Sequence, residues 1–179
     1  MRLTVFNGSP RGKGGNTKVL LEQFLDGFAA TEGNTAETFY LNRTTHIPDF
    51  VRAFEEAGCV LLAFPLYVDA MPGIVKAFIE ALAPLRGREN NPPVAFLVQS
   101  GFPEAIHSRF IERYLEKLAR RLGCEYLGTI VKGGCEGARF MQAQANAKLF
   151  VAFREIGRVF GERGELDPDQ LAGLAKPER

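Results

Sequence analysis

Six consecutive apolar residues, Cys59-Val60-Leu61-Leu62-Ala63-Phe64, are closed by Pro65. A run this short with no polar face reads as a strand covered on both sides. Such strands belong to parallel sheets with helices above and below. Val94-Ala95-Phe96-Leu97-Val98 repeats the pattern, and residues 3–6, 36–41 and 126–131 supply three further strands.

Helical periodicity fills the intervals. Leu21, Phe24, Leu25 and Phe28 recur at helical spacing after the first strand. Asp49 is placed to cap a short helix to about residue 57, with Val51 and Phe54 inward. Pro72 stands at the first position of a helix that turns Ile74, Val75, Phe78, Ile79 and Leu82 inward. Beyond a polar loop at 86–93, a helix begins near Pro103-Glu104. It faces Ile106, Phe110, Ile111, Tyr114, Leu115, Leu118 and Leu122 to the core and ends at Gly123. The Gly-rich stretch 133–137 leads into a long last helix to about Phe160. A polar tail follows from Gly161, where Asp167-Pro168 starts a short helix containing Leu171 and Leu174.

Five strands alternating with helices make a doubly wound α/β sandwich of three layers. Right-handed crossovers leave few arrangements, and the order 2-1-3-4-5 fits. Its switch point lies between strands one and three, where ligands bind outside the carboxyl ends. At 179 residues, without repeat or internal linker, the chain is expected to form one domain over 1–179, with 161–179 as a polar C-terminal tail.

Net charge is +1, from 22 basic and 21 acidic residues, so no nucleic-acid-binding face is implied. No apolar run approaches membrane-spanning length, and Met1-Arg2-Leu3-Thr4 does not open a secretory signal. Cys59, Cys124 and Cys135 are too scattered for a disulfide framework or a metal knuckle. A reducing cytoplasm suits them. Cys59 reads as an inert core thiol, and Cys135, in its glycine loop, as the most exposed of the three. His46 and His107 stand alone and read as surface or loop residues, so no metal site is expected.

The loop after the first strand reads Phe6-Asn7-Gly8-Ser9-Pro10-Arg11-Gly12-Lys13-Gly14-Gly15-Asn16-Thr17. It joins a strand end to a helix start, where free N–H groups and the helix dipole favour an anion. A Walker A loop fails on spacing, because Gly12-Lys13 comes one residue early and Gly14 follows the lysine. A dinucleotide fingerprint lacks its third glycine, which is Thr17, and its acid, which is Asn42. A loop of hydroxyls and amides for a monophosphate remains, beside the plainer reading of a βα turn with Asn16 or Thr17 as helix cap. Lys13 either strengthens the phosphate site or points into solvent.

The switch-point rule brings two more loops to the same edge. Phe64-Pro65-Leu66-Tyr67-Val68-Asp69-Ala70-Met71 presents aromatic and aliphatic surface suited to one side of a flat ring. Gln99-Ser100-Gly101-Phe102-Pro103-Glu104 adds a hydroxyl, a glycine of close approach and another aromatic. Phosphate beside a slot for a planar ring describes flavin mononucleotide.

Gly8-Ser9-Pro10-Arg11, then Asn16-Thr17, then the stretch from Phe64 to Leu82 resemble the NADPH-dependent FMN reductase family of flavodoxin-like fold. The resemblance implies that Ser9, Arg11, Asn16 and Thr17 bind the FMN phosphate. It implies that Pro65, Leu66, Tyr67, Val68 and Asp69 border the isoalloxazine ring, with Ser100, Gly101 and Phe102 on a third flavin-side loop. It implies a homodimer formed beside strands three and four. One branch of the family carries an iron–sulfur cluster held by a run of cysteines. Residues 42–58 contain none, so the cluster is rejected.

The implied activity is a ping-pong hydride transfer from NADPH or NADH to bound FMN and on to a quinone, flavin or other small acceptor. The cofactor carries the chemistry, and no side chain is assigned as catalytic. The alternative is a flavodoxin-like one-electron carrier without NAD(P)H activity, against which the near-zero net charge speaks. Plainer roles stand beside the functional ones. Tyr67 either stacks on the ring or covers the core edge, Asp69 either bonds the ring or follows the turn, Met71 fills a gap, and Lys76 is solvated or ion-paired.

Overall fold

The computed structural model describes residues 1–140 and 146–176, the side chain of His107 excepted. Among these, five strands form one parallel sheet. They are β1 (Arg2–Asn7), β2 (Thr35–Tyr40), β3 (Cys59–Pro65), β4 (Val94–Gln99) and β5 (Tyr126–Lys132), in the order β2-β1-β3-β4-β5. The doubly wound, flavodoxin-like reading of the sequence is therefore the observed architecture.

Alternation along the strands divides the core into two layers. Phe6, Val60, Leu62, Phe64, Phe96 and Val98 face one side. They meet α2 (Ile47–Glu55), α3 (Gly73–Ala81) and α4 (Arg109–Leu122) there. Leu3, Val5, Leu61, Ala63, Ala95 and Leu97 face the other side, against α1 (Asn16–Phe28), α5 (Ala147–Arg163) and α6 (Pro168–Leu174). Every residue of β3 and β4 is buried, as strands sandwiched by helices require. β2 is the exposed edge, and its polar Thr35 and Glu37 suit that position.

Helix α1 crosses α5 at a pair of glycines. A Cβ on Gly157 would stand 2.8 Å from the carbonyl carbon of Phe24. One on Gly27 would stand 2.7 Å from that of Arg154. Only hydrogen side chains let the two backbones approach so closely.

Several helix details depart from the sequence reading. Pro72 is the N-cap of α3 rather than its first residue, and Asp49 sits in the first turn of α2, paired with Arg52 and His46, rather than at the cap. In α2 the inward residues are Phe50 and Phe54, with Val51 at the flank. The helix expected from Pro103-Glu104 starts as a 3-10 turn (Ala105–Ser108), and α4 proper opens at Arg109. Packing explains the delay. The chain at Phe102 and Pro103 is held against the backbone of Gly133 and Gly134, with Gly134 N–H donating to Phe102 O at 2.7 Å. α4 buries Ile111, Leu115, Ala119 and Leu122. Ile106, Phe110 and Tyr114, expected inward, are exposed, Phe110 by 79%. They lie one residue out of phase with the buried stripe, and a helix can press only one stripe onto the sheet.

The C-terminal elements follow the sequence more closely. Gly123 ends α4 in the left-handed conformation at φ 81°. Asp167 caps α6, its carboxylate accepting from Asp169 N–H at 2.9 Å and Gln170 N–H at 3.2 Å. α5 continues to Arg163, and the part of the expected last helix that falls on 141–145 lies outside the described residues.

Candidate functional site

A cleft of about 400 Å³ opens above the reversal of strand order, within the roughly 300–1,000 Å³ of ordinary small-molecule sites. Four loops wall it, one at the carboxyl end of each of β1, β3, β4 and β5.

The first loop leaves β1 pressed against its neighbours. Gly8 N–H donates to Ala63 O at 2.7 Å, and a Cβ on Gly8 would run into Val75 and stand 3.1 Å from Phe64 Cβ. Asn7 Oδ1 then accepts from Ser9 N–H at 3.0 Å, turning the chain over the strand end. Gly15 lies against the buried Ser9, where an added Cβ would be 2.5 Å from Ser9 Oγ. Helix α1 begins at Asn16 with Gly15 as an extended N-cap and no side-chain cap.

Neither Asn16 nor Thr17 is therefore the cap, because both side chains are used laterally. Asn16 Nδ2 donates to Glu136 O at 3.0 Å, and Asn16 Oδ1 accepts from Arg139 N–H at 3.1 Å. Thr17 Oγ1, fully buried, accepts from Gln99 Nε2 at 3.3 Å. Among the described residues the N–H groups of Asn16 and Thr17 have no acceptor. With Ser9 Oγ and the exposed Arg11 they form a corner of donors at the positive end of α1. Lys13 lies away from the cleft, its Nζ 5.7 Å from the ring centre of Tyr40.

The second loop is fixed by Leu66 N–H donating to Gln99 O at 2.8 Å. Tyr67 and Ala70 then exchange backbone hydrogen bonds of 2.9 and 3.0 Å around Val68 and Asp69. Both central residues have positive φ, 47° and 60°, so this is a tight turn of the kind that glycine and asparagine prefer. Val68 is 93% exposed, and Leu66 is buried in the core layer that faces α2, α3 and α4. Met71 packs on the core edge and Lys76 pairs with Glu80, both in their plainer roles.

The third loop runs from Gln99 to Pro103. Ser100 N–H donates to Lys132 O at 3.0 Å, and Ser100 O accepts from Cys135 N–H at 2.9 Å. Gly101 and the half-exposed Phe102 form its tip.

The fourth loop, 133–140, straps the far strand β5 back to α1. Besides its bonds to Asn16, Arg139 donates from its guanidinium to Gly14 O at 2.9 Å. Asn146 Nδ2 holds Ala138 O at 2.9 Å. Cys135 is fully buried beneath this strap, a correction to its reading as the most exposed thiol. The Cys135 N–H bond to Ser100 turns its side chain into the core, and burial pushes the thiol up to about 12. Cys59 and Cys124 are also buried, their thiols pushed up to about 11.

Of the twelve residues singled out in the sequence, Ser9, Arg11, Asn16, Pro65, Leu66, Tyr67, Val68, Ser100, Gly101 and Phe102 line the cleft together. The Thr17 side chain lies beneath it, and Asp69 stands in the turn beside it. Gln99, Pro103 and Glu136 complete the lining and were not foreseen. Gln99 and Pro103 belong to a loop already assigned to this edge. Glu136 could have been found by the same rule, since a glycine-rich loop after the fifth parallel strand must also emerge there. Among the described residues no cluster of three or more His, Cys, Asp or Glu could hold a metal ion.

Comparison with known proteins adds to this geometry. Residues 1–109 match the NADPH-dependent FMN reductase family. No curated protein sequence matches the chain. Among solved structures, the chain is similar to the Trp repressor binding protein of Bacillus subtilis, with TM-score 0.64 and 19% identity over 85% of this chain and 95% of that one. It is similar to an FMN-dependent NADH-azoreductase of Bacillus anthracis in complex with FMN, with TM-score 0.67 and 11% identity over 90% and 100%. It is also similar to an NAD(P)H:quinone oxidoreductase of Methanothermobacter marburgensis, with TM-score 0.68 and 15% identity over 88% and 96%. At these identities the structural likeness establishes the fold alone.

Proposed function

The chain belongs to the NADPH-dependent FMN reductase family, an NAD(P)H-dependent flavin oxidoreductase with FMN as cofactor, and from that premise we propose that the four-loop cleft holds FMN and serves a small, planar electron acceptor such as a quinone or a free flavin. The observation that carries the reading is the polarity of the cleft. One end offers unpaired N–H groups, a hydroxyl and a guanidinium, and the other offers proline, aliphatic and aromatic surface.

The residues present fit the cofactor. A phosphate dianion suits Ser9, Arg11 and the N–H groups of Asn16 and Thr17, since the space beside Ser9 exists only because Gly15 has no Cβ. A flat ring suits Pro65, Leu66, Tyr67 and Val68 on one side and Ser100, Gly101 and Phe102 on the other. Asp69 is the second central residue of the turn that presents Tyr67 and Val68, beside the ring end of the cleft. When bound, FMN accepts hydride from NAD(P)H and passes the electrons on. The chain's own part is to fix the phosphate, orient the ring and exclude water from one face. No side chain needs to act as a general acid or base.

We further propose that the whole chain acts as one FMN-binding domain and as a homodimer. Phe102, Ile106, Phe110 and Tyr114 form an exposed apolar stripe that runs from the cleft along α4, and a second copy covering it would remove the stripe from water. The cytoplasm is the proposed compartment, supported by three free, buried thiols. Among the described residues no helix is long and apolar enough to cross a membrane.

The test is an anaerobic visible spectrum of the FMN-loaded protein before and after NADPH, then NADH. Rapid and complete bleaching is expected with at least one of them. A bound flavin that both donors leave oxidised would overturn the reductase reading of this chain. No bound flavin at all would overturn the assignment of the cleft. Turnover with quinone, flavin and azo acceptors then ranks the second substrate. Arg11→Ala is expected to weaken FMN binding by about 1.5–3 kcal/mol, the size of one charge-assisted hydrogen bond.

A further inference from the structure

The cofactor assignment uses the two ends of the cleft and leaves three lining residues, Gln99, Pro103 and Glu136, without a task, and of these only Glu136 carries a charge. Glu136 stands between the two ends. Its main-chain carbonyl is tied to Asn16 at the donor corner. Its carboxylate leans over Gly101 at the ring end, where a Cβ on Gly101 would be 3.5 Å from Oε2. The strap holds it there, through Cys135 N–H on Ser100 O at 2.9 Å and Arg139 N–H on Asn16 Oδ1 at 3.1 Å. Glu136 is exposed to the open cleft, and its carboxylate has no hydrogen-bond or ion-pair partner among the described residues.

An unpartnered carboxylate lining a cleft that admits a phosphate dianion opposes the ligand's charge. The arrangement favours binding only if the ligand brings donors to that carboxylate. Between its phosphate and its ring, FMN carries a chain of hydroxyl groups, each one a donor. We propose that Glu136 is the polyol-binding residue of the cleft, accepting hydrogen bonds from the ribityl hydroxyls. It would thereby select FMN over flavins whose linking chain lacks them. The inference rests on the assignment of FMN to this cleft.

The test is a fluorescence titration with two ligands, FMN and a flavin carrying the same ring and phosphate joined by a plain pentyl chain. Wild-type protein, Glu136→Gln and Glu136→Ala are compared. Wild type is expected to prefer FMN by about tenfold or more, the scale of one hydrogen bond to a charged acceptor. Glu136→Ala is expected to lose that preference by weakening FMN alone, and Glu136→Gln to keep part of it. Equal affinity of wild type for both ligands would overturn the proposal, as would an alanine variant that weakens both ligands alike or neither. If wild type binds neither flavin, the cofactor assignment falls and the role of Glu136 with it. Failure of the preference alone leaves that assignment standing.

Discussion

Gly157→Ala tests the close crossing of α1 and α5. The new methyl would lie 2.8 Å from the carbonyl carbon of Phe24 and nearer still to its oxygen. Carbon atoms rest at roughly 3.5–4.0 Å, so α1 and α5 must part by about 1 Å or bend. Both partners are backbone, and no rotamer change relieves the contact. Overpacking of this kind costs about 1–3 kcal/mol, and this site belongs at the upper end. Against it stands the gain of about 0.5–1 kcal/mol for alanine over glycine inside a helix. The expected net loss is about 2 kcal/mol, or a fall in Tm of about 4–8 °C for a chain of this size. The control is Gly173→Ala at an exposed position of α6, where nothing lies within 4 Å of the added methyl. There only the helical gain operates, and Tm should rise slightly. Calorimetry of the two variants should give shifts of opposite sign. A Gly157→Ala protein that melts at or above wild type would refute the close crossing.

Val68→Asn should raise the Tm of the apoprotein by about 2–4 °C, because asparagine tolerates the left-handed conformation that costs a β-branched residue about 1 kcal/mol or more; a lower melting point would mean the turn is not left-handed there. Asp167→Ala removes both N-cap hydrogen bonds of α6 and should cost about 1 kcal/mol in a denaturant titration. The native protein should show no fast thiol reaction with Ellman's reagent at pH 8 and three thiols after unfolding; one fast native thiol would contradict the burial of Cys135, Cys59 or Cys124. The same burial sets an alkaline limit. The folded thiols hold their protons up to about 11 and 12, while unfolded thiols release them near 9. Their contribution is therefore complete below pH 9 and is lost as pH rises from there towards 12, measurable as a falling denaturation midpoint.

Much of this was legible from residue order because it depends on one-dimensional pattern. β3 and β4 announce themselves by unbroken apolar runs, and right-handed crossovers leave few strand orders, of which 2-1-3-4-5 is one. Three cleft walls follow from asking which loops leave the same sheet edge. What escaped depends on which of two local patterns wins in three dimensions. The stretch 105–122 carries two apolar stripes, Ile106-Phe110-Tyr114 and Ile111-Leu115-Leu122, and only the sheet decides which is buried. Cys135 sits among glycines that look exposed, yet one backbone hydrogen bond to Ser100 turns it inward. Asn16 looks like a cap, and its partners Glu136 and Arg139 lie more than a hundred residues away. The pairing of Gly27 with Gly157 is likewise invisible until the helices cross.

The strap from β5 also orders events on the ribosome. The donor corner is among the first segments made, but Glu136 and Arg139 that brace it, and Gly157 that seats its helix, come near the end of synthesis. A nascent chain halted after residue 109 carries three of the four walls without the fourth. The first and fourth walls are thus made far apart in synthesis, and the donor corner has its braces only once residues 136–139 are in place.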